Sequence, residues 1–185
     1  MKLIFKNTSI EALKIFKRDK FENNVGSFER IFCEEQFKNI GLEKKIVQIN
    51  KTRTELKGSV RGLHYQAPPF CESKIITCLK GKVFDVAVDI RKNSKTFLNW
   101  HGEILSEDNQ TSIFIPEGFA HGFQTLTDDC EMLYFHTAFY NIASEHGINH
   151  NDNNISIDWP LEIKNLSDKD INLPNIGNNF VGIEI

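Results

Sequence analysis

The chain contains 185 residues, 40% of them apolar and 25% charged, a composition typical of a soluble globular protein that forms one domain, residues 1–185, around a substantial core. Its formal net charge of −3 disfavours nucleic-acid binding, which normally requires a basic excess, and no apolar run approaches the length of a membrane span. The first residues show no signal-peptide pattern and the four cysteines form no C-x-x-C pair, so we expect a cytoplasmic protein with free thiols.

The predicted elements begin with a short helix and continue as a series of strands. Residues 33–42, CEEQFKNIGL, place Phe37 and Ile40 at helical spacing and end near Gly41. Strand-like segments then recur at short intervals, separated by turn sequences such as LKGK and SEDN, and the tail after Asn149 is predicted to form irregular turns with a short helical piece. This order predicts an all-β fold, an antiparallel sandwich or barrel with a few short peripheral helices. The predicted strands are residues 45–50, 59–66, 74–81, 82–90, 98–105, 111–116, 120–126 and 130–140.

The segment KVFDVAVDI has the clearest strand alternation. Its pattern predicts one apolar face and one face that is polar or lines a lumen. We expect the two aspartates to anchor the strand or to brace a histidine rather than to take part in chemistry. The apolar face comprises Phe84, Val86 and Val88, and the other face Asp85, Ala87 and Asp89.

The segment IPEGFAHGF, which contains His121, has the pattern P-x-G-x-x-H after an apolar strand and resembles the second half of the cupin signature. In metal-binding cupins the first half supplies H-x-H and a glutamate, whereas here His64 is followed by tyrosine and glutamine. Glutamine is a poorer ligand for a divalent transition metal than imidazole or carboxylate. Two histidines fall short of the three protein groups that a functional centre normally needs. Glu72 or Asp85 could complete such a set, so a metal-dependent cupin is kept as an alternative.

Five motifs extend the resemblance along most of the chain. They are VRGLHYQAPP…ESKII, GKVFDVAVDIRKNSKTF, IPEGFAHGF, EMLYFHTAFY and ISIDWP…LSDKD, and their order and spacing resemble those of the dTDP-4-dehydrorhamnose 3,5-epimerase family. The similarity runs from about Ala12 to about Leu173. It implies a cupin jelly roll, a homodimer, and epimerisation of a nucleotide-linked 4-keto-6-deoxy sugar without metal or cofactor. Such a reaction would serve the synthesis of surface polysaccharide sugars, as in O-antigen or capsule.

The resemblance implies four catalytic residues whose chemistry suits this reaction. A C–H bond beside a ketone is a weak acid, so its inversion needs a base, stabilisation of the enolate and an acid on the opposite face. Histidine is the usual side chain for proton transfer near neutral pH, and His64 matches the base. Asp170 matches the partner that holds His64 in one tautomer. Tyr134 matches the acid, and Lys74 matches the lysine beside the enolate oxygen.

Other positions match residues that approach the substrate in this family. Among them an arginine grips the diphosphate through charge-assisted hydrogen bonds. The predicted substrate-binding residues are Arg61, Gln48, Asn50, Phe28, His121, Phe139, Tyr140 and Glu145.

Each catalytic assignment has a structural alternative. His64 would by itself be taken for a structural strand histidine, and Tyr134 for a core residue with a satisfied hydroxyl. Lys74 could protect a sheet edge. Asp170 lies in a charged cluster where a helix cap or a solvated surface is the usual interpretation.

Four positions depart from the usual pattern of the family, and we expect them around the nucleotide or the pocket mouth. Val25 stands where an arginine would contact phosphate in the neighbouring subunit's site, and Phe135 stands where a lysine is usual. Phe139 replaces one tyrosine of a pair, and His150 replaces a tryptophan. These changes predict a different nucleotide sugar or inversion of only one centre.

Alternative functions follow from the same residues. A mono-epimerase or a 3,4-ketoisomerase acting on a non-dTDP nucleotide sugar would share the fold and the enolate chemistry, although RGLHYQ, ESK and MLY favour the epimerase. A cupin that binds a sugar nucleotide without catalysis would explain the departures from the pattern.

Overall fold

The computed structural model describes residues 2–177 and 179–185 as thirteen strands and two short helices. The elements are β1 (Leu3–Asn7), β2 (Lys14–Arg18), β3 (Lys20–Asn23), β4 (Gly26–Glu29), α1 (Glu34–Lys38), β5 (Gln48–Thr54), β6 (Val60–Gln66), β7 (Lys74–Lys80), β8 (Lys82–Asp89), β9 (Trp100–Ser106), β10 (Thr111–Ile115), β11 (Phe119–Thr125), β12 (Cys130–His136), β13 (Glu145–Gly147) and α2 (Asp168–Ile171).

The strands form two main antiparallel sheets. One has six strands in the order β1-β2-β10-β7-β12-β5, and the other has five in the order β13-β6-β11-β8-β9. Strands β3 and β4 form a separate hairpin. Most spatial neighbours are not consecutive in sequence, so the chain crosses repeatedly between the sheets, as in a jelly roll. The all-β prediction is confirmed.

The main core lies between the two sheets. Ile76 of β7 and Met132 of β12 pack there with Val83 and Ala87 of β8 and Phe123 of β11. The alternation of β8 is as the sequence predicts, because its other apolar residues join a second cluster on the outer face of the five-stranded sheet. Those residues are Phe84, Val86 and Val88.

Both outer faces are also covered. Phe37 of α1 packs edge-on against Phe16 of β2, with ring centroids 5.2 Å apart, over the six-stranded sheet. Trp159 and Ile155 of the C-terminal segment cover the five-stranded sheet. A strand covered on both faces has no solvent-facing side, which explains why all seven residues of β11 are buried.

Several element boundaries differ from the sequence prediction. The first four strands were not predicted, and β3 and β4 are mostly exposed, so they lack an alternating apolar pattern. Strand β5 begins at Gln48 and continues to Thr54, although the apolar pattern ended at residue 50, because it is an edge strand with polar side chains. Strand β12 ends at His136 rather than at residue 140.

Strands β6 and β11, which carry His64 and His121, pack unusually close to each other. Gly62 has a φ of +104°, and a Cβ there would lie 2.6 Å from the carbonyl oxygen of His121. A Cβ on Gly122 would lie 2.6 Å from the carbonyl oxygen of Arg61. Only glycine fits this contact, which keeps His64 and His121 as direct cross-strand partners.

Candidate active site

A cavity of about 400 Å³ opens between the sheets. Strands β6 and β11 form one wall, strands β5, β7 and β12 form the opposite wall, and β13 with the segment around α2 closes the side. The lining residues are Asn50, Thr52, Arg61, His64, Tyr65, Gln66, Glu72, Lys74, His121, Phe123, Tyr134, His136, Tyr140, Glu145, Ser167, Lys169 and Asp170.

His64 and Asp170 form a short hydrogen-bonded pair. His64 Nε2 lies 2.6 Å from Oδ1 of Asp170, a residue that is only 2% exposed. Ser167, the N-cap of α2, donates to the other carboxylate oxygen at 2.8 Å and accepts from the Asp170 amide. Burial opposes ionisation of Asp170, but hydrogen bonds from His64 and Ser167 outweigh it and lower the pKa of the carboxyl. The pair therefore couples an imidazole to a fixed negative charge.

Tyr134 projects from the opposite sheet. Its hydroxyl accepts a hydrogen bond from Thr52 Oγ1 at 3.4 Å, and its ring packs edge-on against His121 with centroids 6.1 Å apart. Burial raises the pKa of Tyr134 above its usual range, so the phenol retains its proton at neutral pH. The group is thus suited to donate a proton.

Lys74 is the first residue of β7, and it is largely buried. Its ammonium lies 3.3 Å from Oε1 of Glu72, whose Oε2 accepts from His136 Nδ1 at 2.8 Å. Burial disfavours charge on Glu72, but the hydrogen bond from His136 and the charge on Lys74 lower the pKa of its carboxyl. An ordered ammonium near the cavity could stabilise a developing oxyanion.

His121 is braced from behind by Asp85. The His121 Nε2 atom lies 2.9 Å from Asp85 Oδ2, and the aspartate is completely buried. This contact is one of the two roles that the sequence allowed for Asp85. Asp89 takes the other, since it anchors the end of β8 through Arg91.

Charged and aromatic groups surround the cavity mouth. Tyr140 donates to Glu145 Oε2 at 2.8 Å, and Lys169 donates to Glu145 Oε1 at 2.5 Å. Burial opposes charge on Glu145, but these two donors lower its pKa. The Arg61 side chain is exposed and donates to the Arg53 carbonyl at 3.5 Å. The mouth thus has cationic groups that an anionic ligand can reach.

Gln66 occupies the place of a second cupin histidine and organises two loops. Its amide nitrogen donates to the carbonyls of Phe70 and Phe139, and its oxygen accepts from the Asn141 amide at 2.6 Å. Within residues 2–177 and 179–185, no group of three or more His, Cys, Asp or Glu side chains is arranged to hold a metal ion. The candidate ligands Glu72 and Asp85 are each hydrogen-bonded to a histidine.

Three predicted substrate-binding residues are not in the cavity lining found for the described part of the chain. Gln48 lies beside it and accepts from the Tyr140 amide at 3.1 Å. Phe139 and Phe28 are 64% and 65% exposed, the latter on the β3–β4 hairpin. Their contacts with a substrate stay predictions.

The positions that depart from the family pattern are more dispersed than expected. Val25 lies at the exposed tip of the β3–β4 hairpin. Phe135 points away from the cavity and stacks on Phe32 in the outer core, with centroids 5.8 Å apart. His150 accepts a hydrogen bond at its carbonyl from Trp159, and burial lowers the pKa of its imidazole. For Phe135 the expectation of a place near the pocket was wrong, because successive strand residues point to opposite faces.

Sequence reasoning missed several residues of the cavity wall. His136 shares a face with Tyr134 because the two are separated by one residue on β12, and this alternation could have identified it. Thr52, Ser167 and Lys169 are recognisable only once the strands and α2 are placed around the cavity.

The arrangement suits proton transfer at carbon. An imidazole paired with a carboxylate lies on one wall, and a protonated phenol and an ammonium lie on the other. A small carbonyl compound between the walls would have a base on one side and an acid on the other.

The chain was compared with known proteins by sequence. A model of the dTDP-4-dehydrorhamnose 3,5-epimerase family matches residues 7–178. The dTDP-4-dehydrorhamnose 3,5-epimerase of Shigella flexneri is 43% identical over 175 residues, which cover 94% of each chain. That of Methanothermobacter thermautotrophicus is 39% identical over 180 residues, which cover 96% of each chain.

Solved structures give the same result. The dTDP-6-deoxy-D-glucose-3,5-epimerase of Legionella pneumophila, in complex with dTDP-4-keto-L-rhamnose, has a TM-score of 0.92 and 36% identity with full coverage of both chains. A 3'-monoepimerase of Streptomyces bikiniensis, in complex with dTDP-quinovose, has a TM-score of 0.84 and 30% identity, covering 91% of this chain and 86% of the other. The family match across most of the sequence, together with the shared fold, shows that this chain belongs to the dTDP-4-dehydrorhamnose 3,5-epimerase family, whose members are epimerases of the isomerase class.

Proposed function

We propose that the protein epimerises a nucleotide-linked 4-keto-6-deoxy sugar at C3, C5 or both, without a cofactor, for the synthesis of surface polysaccharide sugars. The observation that carries this proposal is the His64–Asp170 pair facing Tyr134 and Lys74 across one cavity. The family match and the sugar nucleotide bound to the Legionella pneumophila relative support it.

In this proposal His64 removes the proton beside the ketone. Its Nε2–H donates to Asp170, so Nδ1 carries the lone pair that accepts the substrate proton. The imidazolium that forms is stabilised by the adjacent carboxylate, and Lys74 stabilises the enolate oxygen.

Tyr134 then protonates the carbon from the opposite face and inverts the centre. The buried phenolate that remains is unfavourable, so it regains a proton from water while His64 loses one to water. The cycle consumes no net proton. The same groups would serve both centres if the sugar ring presents each C–H to His64 in turn.

The remaining predicted residues bind the substrate. Arg61, exposed at the mouth, would grip the diphosphate, while Asn50 and His121 would contact the sugar. Tyr140 and Glu145 at the cavity mouth, together with Gln48, Phe28 and Phe139 outside the lining, would bind the nucleotide.

A mono-epimerase is the second candidate function. Val25 is 89% exposed on the hairpin where the family pattern has an arginine, and a phosphate contact at that position would therefore be absent. Losing one charge-assisted hydrogen bond weakens binding by about 1.5–3 kcal/mol. The 3'-monoepimerase relative acts at a single centre on this same fold, which supports this candidate.

We further propose that residues 1–185 act as one domain in a cytoplasmic homodimer. Within the residues described, no helix is both long and apolar enough to span a bilayer. The β3–β4 hairpin exposes Phe21, Val25 and Phe28, which a second copy could cover. Light scattering should give twice 21.3 kDa, about 43 kDa, and Phe21→Asp should lower it. A wild-type mass of a single chain would contradict the dimer.

The function is tested by incubating the protein in deuterated water with 4-keto-6-deoxy sugars carried by dTDP, GDP, CDP or UDP. NMR should show deuterium at C3, at C5 or at both, together with the inverted sugar. The number of labelled centres separates a 3,5-epimerase from a mono-epimerase, and a 4-keto group moved to C3 would identify a ketoisomerase. Binding without label on any sugar nucleotide would contradict epimerisation and favour a binding protein.

A further inference from the structure

Four polar side chains form a continuous row across one wall of the cavity. The row runs from Lys74 through Glu72 and His136 to Asn50, with contacts of 3.3, 2.8 and 3.4 Å. The strands involved, β7, β12 and β5, are immediate neighbours in the six-stranded sheet. His136 is the cross-strand partner of Lys74, so the register of the sheet itself places the imidazole there.

One protonation state of His136 satisfies every contact in the row. A neutral imidazole with its proton on Nδ1 donates to Glu72 Oε2 and leaves Nε2 as the acceptor for the Asn50 amide. Glu72 then accepts from both His136 and Lys74 through separate oxygens. The ring of His136 also stacks on that of Tyr134, with centroids 6.2 Å apart and planes 21° apart.

We propose that Glu72 and His136 are positioning residues that fix the Lys74 ammonium and the Asn50 amide toward the substrate. The side chains of Glu72 and His136 are 10% and 11% exposed, and the groups at both ends of the row lie on the cavity wall. A flexible lysine loses side-chain conformational entropy when its ammonium stabilises an enolate. A fixed carboxylate beside the ammonium restricts the lysine before the substrate binds, so that this entropy is not lost during the reaction. This inference rests on the proposed epimerase function for its kinetic effect, whereas the hydrogen-bond row can be tested in the resting protein.

The row is tested first by NMR on the protein without substrate. Long-range proton–nitrogen spectra of the imidazoles, with the His136 signals assigned through a His136→Gln variant, should show the proton on Nδ1 and none on Nε2. In Glu72→Gln this tautomer preference should be lost, because a glutamine has a single acceptor oxygen for two donors. A proton on Nε2 in the wild-type protein, or a tautomer that Glu72→Gln leaves unchanged, would overturn the row whatever the activity.

The positioning role is tested by a double-mutant cycle on deuterium exchange. Glu72→Gln should lower kcat by about 10- to 100-fold with KM changed less than about 3-fold, since misplacing a catalytic group affects the reaction more than nucleotide binding. In a Lys74→Ala background the same change should cost less than about 3-fold, because the residue acts through Lys74. Equal losses in both backgrounds, or a rise in KM alone, would overturn the proposal.

The chain offers a control on β12, the strand that carries His136. Glu131 of β12 pairs with Lys51 of β5 at 2.7 Å but does not line the cavity, so Glu131→Gln makes the same substitution in a more exposed ion pair and should leave kcat unchanged. A wild-type protein with the predicted tautomer but no exchange would contradict the proposed function and leave the row intact. The two failures are therefore distinguishable.

Discussion

At the scale of single residues, three histidines of the cavity each bind a carboxylate, yet they differ in accessibility. The side chain of His64 is 31% exposed, against 7% for His121 and 11% for His136. A catalytic base must reach the substrate and exchange its proton with water. Accessibility therefore favours His64 as the base over His121 and His136, which line the cavity wall.

Replacing Tyr134 with phenylalanine should separate proton removal from inversion. Without the phenol, His64 can still remove a proton and return one on the same face, so deuterium enters the sugar while its configuration is kept. We expect formation of the epimer to fall by about 10²-fold or more. NMR distinguishes label from inversion in one experiment. Tyr65→Phe, on the opposite cavity wall, is the control, and normal inversion by Tyr134→Phe would contradict the assignment.

The contacts of individual residues could be predicted only where sequence spacing determines them. Strand alternation correctly placed Asp85 on the inner face, where it braces His121. The contact between His64 and Asp170 joins residues 106 positions apart, so it came from the family resemblance and not from spacing. Strand alternation could have placed His136 on the face of Tyr134, but its contact with Glu72 joins residues 64 positions apart and could not be read from spacing.

At the scale of elements, the close packing of β6 on β11 places the base. Gly62→Ala would force a methyl group to within 2.6 Å of the His121 carbonyl at a φ of +104°. Overpacking and backbone strain should each lower the free energy of unfolding by about 1–3 kcal/mol.

Urea unfolding measures this effect. Gly177→Ala is the matched control, since a Cβ at that position would have no atom within 4 Å. Equal stability of Gly62→Ala and Gly177→Ala would show that the two strands tolerate a wider separation.

The end of β8 is stabilised by an ionised aspartate, which makes its contribution dependent on pH. Burial opposes charge on Asp89, but hydrogen bonds from Arg91, Ser94 and Thr96 lower its pKa from 3.8 to about 2. A lowered pKa stabilises the folded state fully above pH 4, and this contribution is lost as the pH falls toward 2.

Asp89→Asn should therefore cost about 2 kcal/mol at pH 7 and about half as much at pH 3. Urea unfolding at the two pH values gives the difference from wild type, with the exposed Asp108→Asn as control. A deficit that stays constant between pH 7 and pH 3 would mean that the charge of Asp89 is not what stabilises the strand.

Elements with a regular apolar pattern were predicted well, and polar or very short ones were not. Strands β7, β8, β10, β11 and β12 were recognised because buried side chains dominate them. The β3–β4 hairpin is exposed and therefore has no apolar pattern, and the three-residue β13 is held by pairing with β6. Strand β12 was predicted four residues too long because its apolar sequence continues past His136, where Gln66 binds the next loop backbone.

At the scale of the whole molecule, the cavity exists because the two sheets face each other while α1 and the C-terminal segment cover their outer faces. Each sheet brings one half of the chemistry. The base comes from the five-stranded sheet, and the acid and the ammonium come from the six-stranded sheet. This division places acid and base on opposite faces of a bound sugar, as inversion requires.

The central claim is that His64 is the base of an epimerase, and the rate of deuterium exchange into a 4-keto sugar nucleotide tests it most directly. The account predicts rapid exchange by the wild-type protein and a loss of about 10²-fold or more in His64→Ala, whose fold is checked by circular dichroism. Exchange by His64→Ala at the wild-type rate would contradict the claim.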